Sequence, residues 1–362
     1  MKGRPDVLEK IKFLTNKTPS YLVFWVTQNC NAFCPFCFNY EENAKKNFDL
    51  KIDEIDKIAR SLPHLKYLTL GGGEPSLRKD LPDIITPFVE HSGLQMCTIV
   101  TNGYLWERMV GYVREICQRH PKLGINVGVS IDFIGQAHDD IRRLDGCYEG
   151  SIKLIEAIKE LRKEHSNVMV GAGGVYSAAT ASSILETGKY IIENYKIPYS
   201  MSFIRGLVED MDLKAVDPDH YYSVAREILE LQKTVMPFTT IDGPFRYALE
   251  EMAVDAIYKV AKNDEHTVNC TAGRKSVVLE SNGRLRLCEL LPDHFGNVRD
   301  NDFNIPAMLE AAEARPVIDK VRSEKCRCTW ECFNRASIVY DAKKWPRLLA
   351  TGLNRAVRAT QV

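Results

Sequence analysis

The sequence lacks long apolar runs, a secretion signal and an excess of charge of either sign. No stretch approaches the ~20 apolar residues of a membrane-spanning helix. The first residues, Met-Lys-Gly-Arg-Pro-Asp, carry no apolar core of a signal peptide. The 48 basic side chains balance 48 acidic ones, which gives no electrostatic reason to expect nucleic acid as a partner. We therefore expect a cytoplasmic globular protein that does not bind nucleic acid.

The chain has eleven cysteines, and in the cytoplasm, where thiols stay reduced, they favour metal binding over disulfides. Cys30, Cys34 and Cys37 occur within eight residues, directly after the apolar run Tyr21–Val26. Iron–sulfur cubanes are usually held by four thiolates, so three close ligands leave one iron open to a substrate or cosubstrate. The alternative is a zinc knuckle, but zinc sites use paired Cys-x-x-Cys or Cys/His sets, and no histidine precedes His64.

Short apolar runs alternate with helical patterns from about residue 20 to residue 205, which is typical of repeated βα units with a parallel sheet. Six units are too few for the eight-stranded barrel, so we predict an α/β fold with a partial (β/α)6 barrel. The predicted strands are Tyr21–Val26, Tyr67–Leu70, Met96–Val100, Ile125–Ile131, Val168–Gly171 and Tyr199–Ile204.

Polar and glycine residues follow nearly every predicted strand. The cysteines follow the first, Gly71-Gly-Gly-Glu-Pro the second, Thr101-Asn-Gly the third, Ser130 and Asp132 the fourth, and Arg205-Gly the sixth. In β/α barrels the active site lies at this end of the strands, so we expect these segments to converge.

The pattern changes after predicted helices at His220–Thr234 and Phe245–Lys262. Ser281-Asn-Gly-Arg predicts a tight hairpin, because Asn-Gly supplies the positive φ angles of such turns. We predict an N-terminal extension (1–19), the barrel (20–240), a connecting helix (241–262), a cysteine-rich domain with the hairpin (263–340) and a basic tail (341–362). The tail is either a docked terminal helix or a weak membrane-surface or protein contact.

The spacing Cys-x3-Cys-x2-Cys, with Phe36 before the last cysteine, resembles the signature of radical S-adenosylmethionine enzymes. The resemblance implies a [4Fe–4S] cluster whose open iron is chelated by S-adenosylmethionine. One electron then splits the sulfonium, and the resulting 5′-deoxyadenosyl radical abstracts hydrogen from a substrate. An electron donor such as flavodoxin or ferredoxin is the expected partner.

The same resemblance assigns contacts to the cofactor. Gly72, Gly73 and Glu74 match the family segment that binds the methionyl amino group, and a carboxylate suits an ammonium. Ser130 would hold the ribose and Arg142 the carboxylate, since arginine binds carboxylates through two donors.

Four further residues are candidates with open alternatives. Phe36 is predicted to contact the cofactor, and Asn102 is either a ligand or a turn residue. Asp132 is a sugar contact, a substrate base or a strand-end cap. Cys147 stands alone, as do Cys97 and Cys117, and is either a packed thiol or a hydrogen donor.

The second cysteine set resembles the auxiliary-cluster domain called SPASM or its shortened form, twitch. It consists of Cys270, Cys288, Cys326, Cys328 and Cys332, with Gly283 inside the first spacing. Five cysteines imply one auxiliary cluster rather than two. Cys270, Cys288 and Cys332 are the preferred ligands, with Cys326 or Cys328 as the fourth. A zinc site fits this spacing almost as well.

The predicted activity is therefore radical oxidation, crosslinking or a related modification in which the auxiliary cluster exchanges electrons. Its substrate is a small molecule, a sugar, a lipid-linked precursor or a peptide. The alternative from another class is a non-catalytic iron–sulfur electron carrier or a zinc-binding interaction module.

Overall fold

The computed structural model describes residues 18–41, 48–235 and 243–359, with side chains in the last segment as far as Leu353. The predicted extension 1–19 therefore lies almost wholly outside the described residues, as do the side chains of Arg355 and Arg358 in the tail. The strands are β1 (Tyr21–Thr27), β2 (Tyr67–Gly72), β3 (Met96–Thr101), β4 (Gly124–Ser130), β5 (Val168–Tyr176), β6 (Tyr199–Phe203), β7 (Ser276–Leu279), β8 (Arg284–Arg286) and β9 (His294–Asn297).

Helices alternate with the first six strands and then form the C-terminal part. They are α1 (Ile52–Ser61), α2 (Leu81–Ser92), α3 (Trp106–Arg119), α4 (Gln136–Arg142), α5 (Cys147–Glu164), α6 (Ile184–Tyr195), α7 (Pro218–Gln232), α8 (Gly243–Asn263), α9 (Ile305–Glu310), α10 (Ala314–Ser323), α11 (Glu331–Tyr340) and α12 (Trp345–Ala359).

One sheet runs through the described part of the chain, in the order β6-β5-β4-β3-β2-β1-β7-β8-β9. The pairs from β6 to β1 are all parallel, which confirms the predicted α/β class and its six βα units. Strand β7 pairs in parallel with β1, with Tyr21 opposite Ser276, and the β7–β8 hairpin is antiparallel. The predicted barrel and cysteine-rich domain thus share a single hydrogen-bonded sheet.

Strand β1 lies inside this sheet, which explains its composition. Its sequence is Tyr-Leu-Val-Phe-Trp-Val-Thr, and six of the seven residues are buried. Such near-continuous apolar sequence is typical of parallel strands covered on both faces. The chain then leaves the sheet at Thr27, and the three closely spaced cysteines follow at the carboxyl end of β1.

The sequence pattern predicts helices at Leu81–His91 and Ser151–Glu164, and α2 and α5 lie there. Helix α2 begins after Asp80, has Pro82 in its first turn and is followed by Gly93, whose φ is 68°. Helix α5 begins at Cys147, four residues before the predicted Ser151. Its Gly150 packs against the segment after β3, since a Cβ there would lie 2.9 Å from the carbonyl oxygen of Gly103.

The C-terminal tail forms helix α12, which packs on α8. Gly352 lies so close to Phe245 that an added Cβ would be 2.6 Å from its ring. This is the docked-helix alternative for the tail. Within the described residues, no helix combines the length and apolar character needed to cross a bilayer.

Arg78 fixes the backbone that leads into the cysteine loop. Its side chain is 8% exposed, and its guanidinium donates to the carbonyl oxygens of Val26 (2.6 Å) and Leu50 and to the carboxylate of Asp80. Arg78 therefore joins the end of β1 to the segments before α1 and α2.

We expect Arg78→Met to lower the free energy of unfolding by about 3 kcal/mol, because two buried carbonyls lose a charged donor. Urea unfolding followed by circular dichroism measures the change. Arg60→Met is the control: Arg60 is 61% exposed and pairs with Asp56 within α1, so its loss should cost less than about 0.5 kcal/mol. Equal stability of the two variants would contradict the role given to Arg78.

Candidate functional site

The first cysteine loop lies at the carboxyl end of β1. Cys30, Cys34 and Cys37 are partly exposed, and the N–H of Cys37 donates to the carbonyl of Cys34 at 3.0 Å, which closes a turn. Phe36 points inward, is 7% exposed, and packs with Ile204 and Val208 from the segment after β6. The loop is thus held between the ends of the first and last barrel strands.

The chemistry of these thiols suits a metal. The Ala32 N–H donates to Cys30 Sγ at 3.4 Å. Burial raises the pKa of Cys30 to about 11 and that of Cys34 to about 12. A nearby cation is therefore needed for the thiols to ionise at neutral pH, and metal coordination provides one. Cys147 behaves differently, because its Sγ donates to the carbonyl of Asn102 at 3.4 Å and so acts as a thiol.

Two glycines allow the segment after β2 to lie directly against this loop. Gly72 has a φ of 105°, and an added Cβ would lie 2.5 Å from the Thr27 carbonyl oxygen. At Gly73 the corresponding distance to the Asn29 carbonyl oxygen is 2.0 Å. Any side chain would separate the two segments. At Gly71 an added Cβ would meet nothing within 4 Å, so this strand end borders open space.

Glu74 joins three strand ends. Its carboxylate is 2% exposed and accepts from the N–H of Ser76 (2.9 Å), the hydroxyl of Thr101 (2.6 Å) and the N–H of Asn102 (2.7 Å). Its own N–H donates to Asn29 at 2.8 Å. Glu74 lies at the predicted position, and its oxygens also have protein donors that the sequence did not reveal.

Asn102 makes the turn expected of it and also contacts the cysteine loop. Its side-chain oxygen accepts from the N–H of Tyr104 at 3.0 Å, as in a turn. Its side-chain amide donates to Asn31 in the cysteine loop at 2.8 Å, and its carbonyl accepts from Ser151 at 2.7 Å. Asn102 therefore fixes the cysteine loop against the amino-terminal part of α5.

Asp132 and Arg142 form a buried ion pair. The Arg142 Nε and Nη2 lie 2.9 Å and 2.7 Å from Asp132 Oδ2, while Asp132 Oδ1 accepts from the N–H of Val175 at 2.8 Å. The guanidinium lies 5.9 Å from the Phe36 ring centroid, and the Arg142 carbonyl accepts from the N–H of Phe33. Two of the three guanidinium nitrogens thus bind Asp132. Asp132 therefore joins the end of β4 to Arg142 and to Val175 of β5.

Ser130 ends β4 opposite Gly173 and is partly exposed, at the same end of the sheet as the cysteine loop. The structure therefore brings five predicted cofactor-contact positions outside the loop to the carboxyl ends of neighbouring strands: Gly72, Gly73, Glu74, Asn102 and Ser130. The sixth, Arg142, ends helix α4 and is held at this edge by its bonds to Asp132.

His138 was not predicted as a site residue. Its Nδ1 accepts from the N–H of Asp132 at 3.1 Å, and its Nε2 is buried with no hydrogen-bond partner among the described residues. Burial lowers the pKa of His138 to about 4, and Arg142 adds to the decrease, so the ring is neutral. The signal in the sequence is its position four residues before Arg142, which places both on one face of α4.

Four thiols of the second set form one electrostatic group. Burial raises the pKa of Cys270 to about 12, and the thiols of Cys326 and Cys288 add to the rise. Burial also raises the pKa of Cys328, to which Cys270, Cys326 and Cys288 contribute. Three of the four accept N–H donors at Sγ: Cys270 at 3.5 Å, Cys288 at 3.4 Å and Cys328 at 3.2 Å.

Cys332 has a different environment. Burial raises its pKa, and the charged groups that act on it are Arg335, Glu331, Arg205 and Glu289 rather than other thiols. Burial raises the pKa of Tyr21 in β1, and the Cys332 thiol adds to that rise, so the two side chains are close. Cys332 was one of the preferred ligands, yet it lies against β1 and buried ionic groups.

Neither cysteine set resembles a site for one ion. Among residues 18–41, 48–235 and 243–359, no three His, Cys, Asp or Glu side chains are placed to hold a single metal ion. A cubane spreads its thiolates over different irons, so this geometry is compatible with clusters at both sets.

Comparisons with known proteins agree with this arrangement. The family model described as the Radical SAM superfamily matches residues 26–177. A GTP 3′,8-cyclase of Vibrio atlanticus is 35% identical over 119 residues, which are 32% of this chain and 34% of that protein. An Fe-coproporphyrin III synthase of Methanosarcina barkeri is 23% identical over 349 residues, 88% of this chain and 83% of that protein. The chain thus spans about a third of the cyclase it matches.

A solved structure, described as native anSMEcpe with bound AdoMet, shares the fold. The TM-score is 0.57 at 15% identity, and the match covers 95% of this chain and all of the other. The family match includes the cysteine loop, the glycine segment and the Asp132–Arg142 pair. Residues 26–177 thus form a domain that matches the family model of the Radical SAM superfamily.

Proposed function

We propose that this chain is a radical SAM enzyme in which Cys30, Cys34 and Cys37 hold a [4Fe–4S] cluster with one open iron for S-adenosylmethionine. The main support is the placement of three ionisable thiols in one loop, near Glu74 at the end of β2 and Arg142 at the end of α4. When bound, the cluster supplies the electron that cleaves S-adenosylmethionine and so starts hydrogen abstraction from the substrate.

The protein residues position the cofactor and exclude water from it. The open space beside Gly71 is proposed to take the methionyl group, while Gly72 and Gly73 let the end of β2 lie directly against the cysteine loop. Glu74 places negative charge beside the ammonium, and Ser130 is proposed to contact the ribose. Arg142 keeps Nη1 for the cofactor carboxylate while Asp132 holds its other two nitrogens.

Phe36 and its apolar neighbours shield one side of the loop. Phe36 is 7% exposed, while Ile204 and Val208 are 3% and 2% exposed. A dry contact of this kind prevents solvent from quenching reactive intermediates. The segment after β6 is therefore proposed to protect the chemistry as well as to support the fold.

We further propose that Cys270, Cys288, Cys326 and Cys328 hold one auxiliary cluster, with Cys332 outside the ligand set. Supporting this choice are the electrostatic effects of Cys288 and Cys326 on the thiols of Cys270 and Cys328, and the N–H donors to three of the four thiols. A cluster with four cysteine ligands has no open iron and exchanges electrons. The proposed chemistry is therefore an oxidation or a crosslinking reaction.

The substrate is proposed to be a small molecule. The two curated relatives described above have names that refer to small molecules, GTP and Fe-coproporphyrin III. A flavodoxin or ferredoxin is the proposed electron donor, in a cytoplasmic compartment that keeps all eleven thiols reduced.

Anaerobic reconstitution with iron and sulfide tests the whole proposal. We expect about eight irons per chain and formation of 5′-deoxyadenosine after reduction in the presence of S-adenosylmethionine. Cys34→Ala should lose about half of the iron and all of this product. Cys97→Ala is the control, because Cys97 is a fully buried lone thiol. One or two zinc ions and no cleavage would instead identify a zinc-binding module, and iron without cleavage an electron carrier.

Separate substitutions of Cys328 and Cys332, which are four residues apart, test which of the two is a ligand of the auxiliary cluster. We expect Cys328→Ser to lose about four irons per chain and Cys332→Ser to keep them. Iron and sulfide analysis of the reconstituted variants, both in full-length protein, gives the answer. Loss of iron in Cys332→Ser alone would show that the fourth ligand is Cys332.

A further inference from the structure

Arg205 lies between the two cysteine sets. Its guanidinium carbon is 5.5 Å from the ring centroid of Phe38 and 5.9 Å from that of Trp330. Phe38 directly follows Cys37, and the N–H of Trp330 donates to Cys328 Sγ at 3.2 Å. One side chain from the end of β6 therefore contacts residues next to a cysteine of each set.

Buried carboxylates hold this guanidinium in place. Its Nη1 lies 2.8 Å from Glu331 Oε2, and Glu331 Oε1 accepts from the N–H of Phe203 at 2.8 Å. Glu331 is itself buried and belongs to the Cys328–Cys332 segment. Glu289, beside Cys288, accepts from the indole N–H of Trp25 at 2.9 Å and also acts on Arg205. The charge of Arg205 is thus fixed at the auxiliary cysteines.

One donor of Arg205 is left over. Its Nε is buried and has no hydrogen-bond partner among the described residues. A buried N–H without an acceptor is unfavourable, so this position calls for one. Cys328 is close to this guanidinium, because its Sγ accepts from the N–H of Trp330, whose ring lies 5.9 Å from the Arg205 guanidinium carbon.

We propose that Arg205 sets the reduction potential of the auxiliary cluster, by placing a fixed positive charge and a free Nε–H beside its sulfur atoms. The inference rests on the proposed auxiliary cluster at Cys270, Cys288, Cys326 and Cys328. Net charge and hydrogen bonds to sulfur are two of the factors that set cluster potentials. A positive charge in a low-dielectric site favours the more negative, reduced cluster. Arg205 therefore raises the potential, and Glu331 partly opposes it.

The test is a redox titration of the auxiliary cluster followed by electron paramagnetic resonance. Full-length protein with Cys30, Cys34 and Cys37 changed to alanine leaves the auxiliary cluster as the source of the signal. In this background, Arg205→Met should reduce the ratio of reduced to oxidised cluster about tenfold at a fixed potential, a shift of about 59 mV for one electron. Glu331→Gln should shift the midpoint in the opposite direction.

Two further variants separate charge from a general structural effect. Arg205→Lys keeps the charge but lacks the Nε–H, so it should shift the midpoint in the same direction as Arg205→Met and by less. Arg143→Met is the matched control, because Arg143 is 51% exposed and pairs with Glu209 at the surface. It should leave the midpoint unchanged. A purely structural role would change iron content without this pattern of opposite shifts.

The inference is overturned if Arg205→Met, Arg205→Lys and Glu331→Gln all bind iron and keep the midpoint of the parent protein. If Arg205→Met does not take up iron, the lysine variant and Glu331→Gln still decide the question through the direction of their shifts. Iron analysis before the titration distinguishes a failure of the proposed function from a failure of this inference. If the parent protein takes up no auxiliary iron, the proposed auxiliary cluster is absent, and the proposed role of Arg205 fails with it.

Discussion

The close approach of the first two strand ends is the constraint on which the site depends. Gly73 lies so near Asn29 that no side chain fits between them, and Glu74 then bonds to the segments after β1 and β3. The backbone leading to Cys30 is thereby fixed on one side by direct contact. Glycine makes this close backbone contact possible because it has no side chain, while the neighbouring Gly71 borders open space.

Three arginines with little solvent exposure complete this arrangement, and each binds a different part of it. Arg78 holds the end of β1, Arg142 binds Asp132 and lies over Phe36, and Arg205 binds Glu331 from the cysteine-rich part. Guanidinium groups suit such positions because they stay charged and make several hydrogen bonds in fixed directions. A common physical device therefore positions the loop, the cofactor contacts and the auxiliary cysteines.

Much of the fold follows from local sequence patterns, since the six strands and most barrel helices have clear apolar periods and end signals. The cysteine loop and the glycine segment were likewise evident from spacing. Contacts between residues far apart in sequence were not evident. Cys332 lies near Tyr21, and Glu331 bonds to Phe203, only after the chain has folded. His138 was missed for a related reason, as its neutral state arises from burial next to Arg142. Helix α4 was also missed, being only seven residues long.

The parallel pairing of β1 with β7 has a consequence for how the molecule divides into parts. Four residues of β1, Tyr21 to Phe24, lie opposite β7, and the predicted domain boundary at residue 263 precedes that partner. A chain ending at this boundary would leave one side of β1 unpaired, as an apolar edge with free backbone donors and acceptors. Edges of this kind invite pairing with other chains. The segments that carry the two cysteine sets are therefore joined in one sheet. Replacing the C-terminal segment would require another strand to pair with β1.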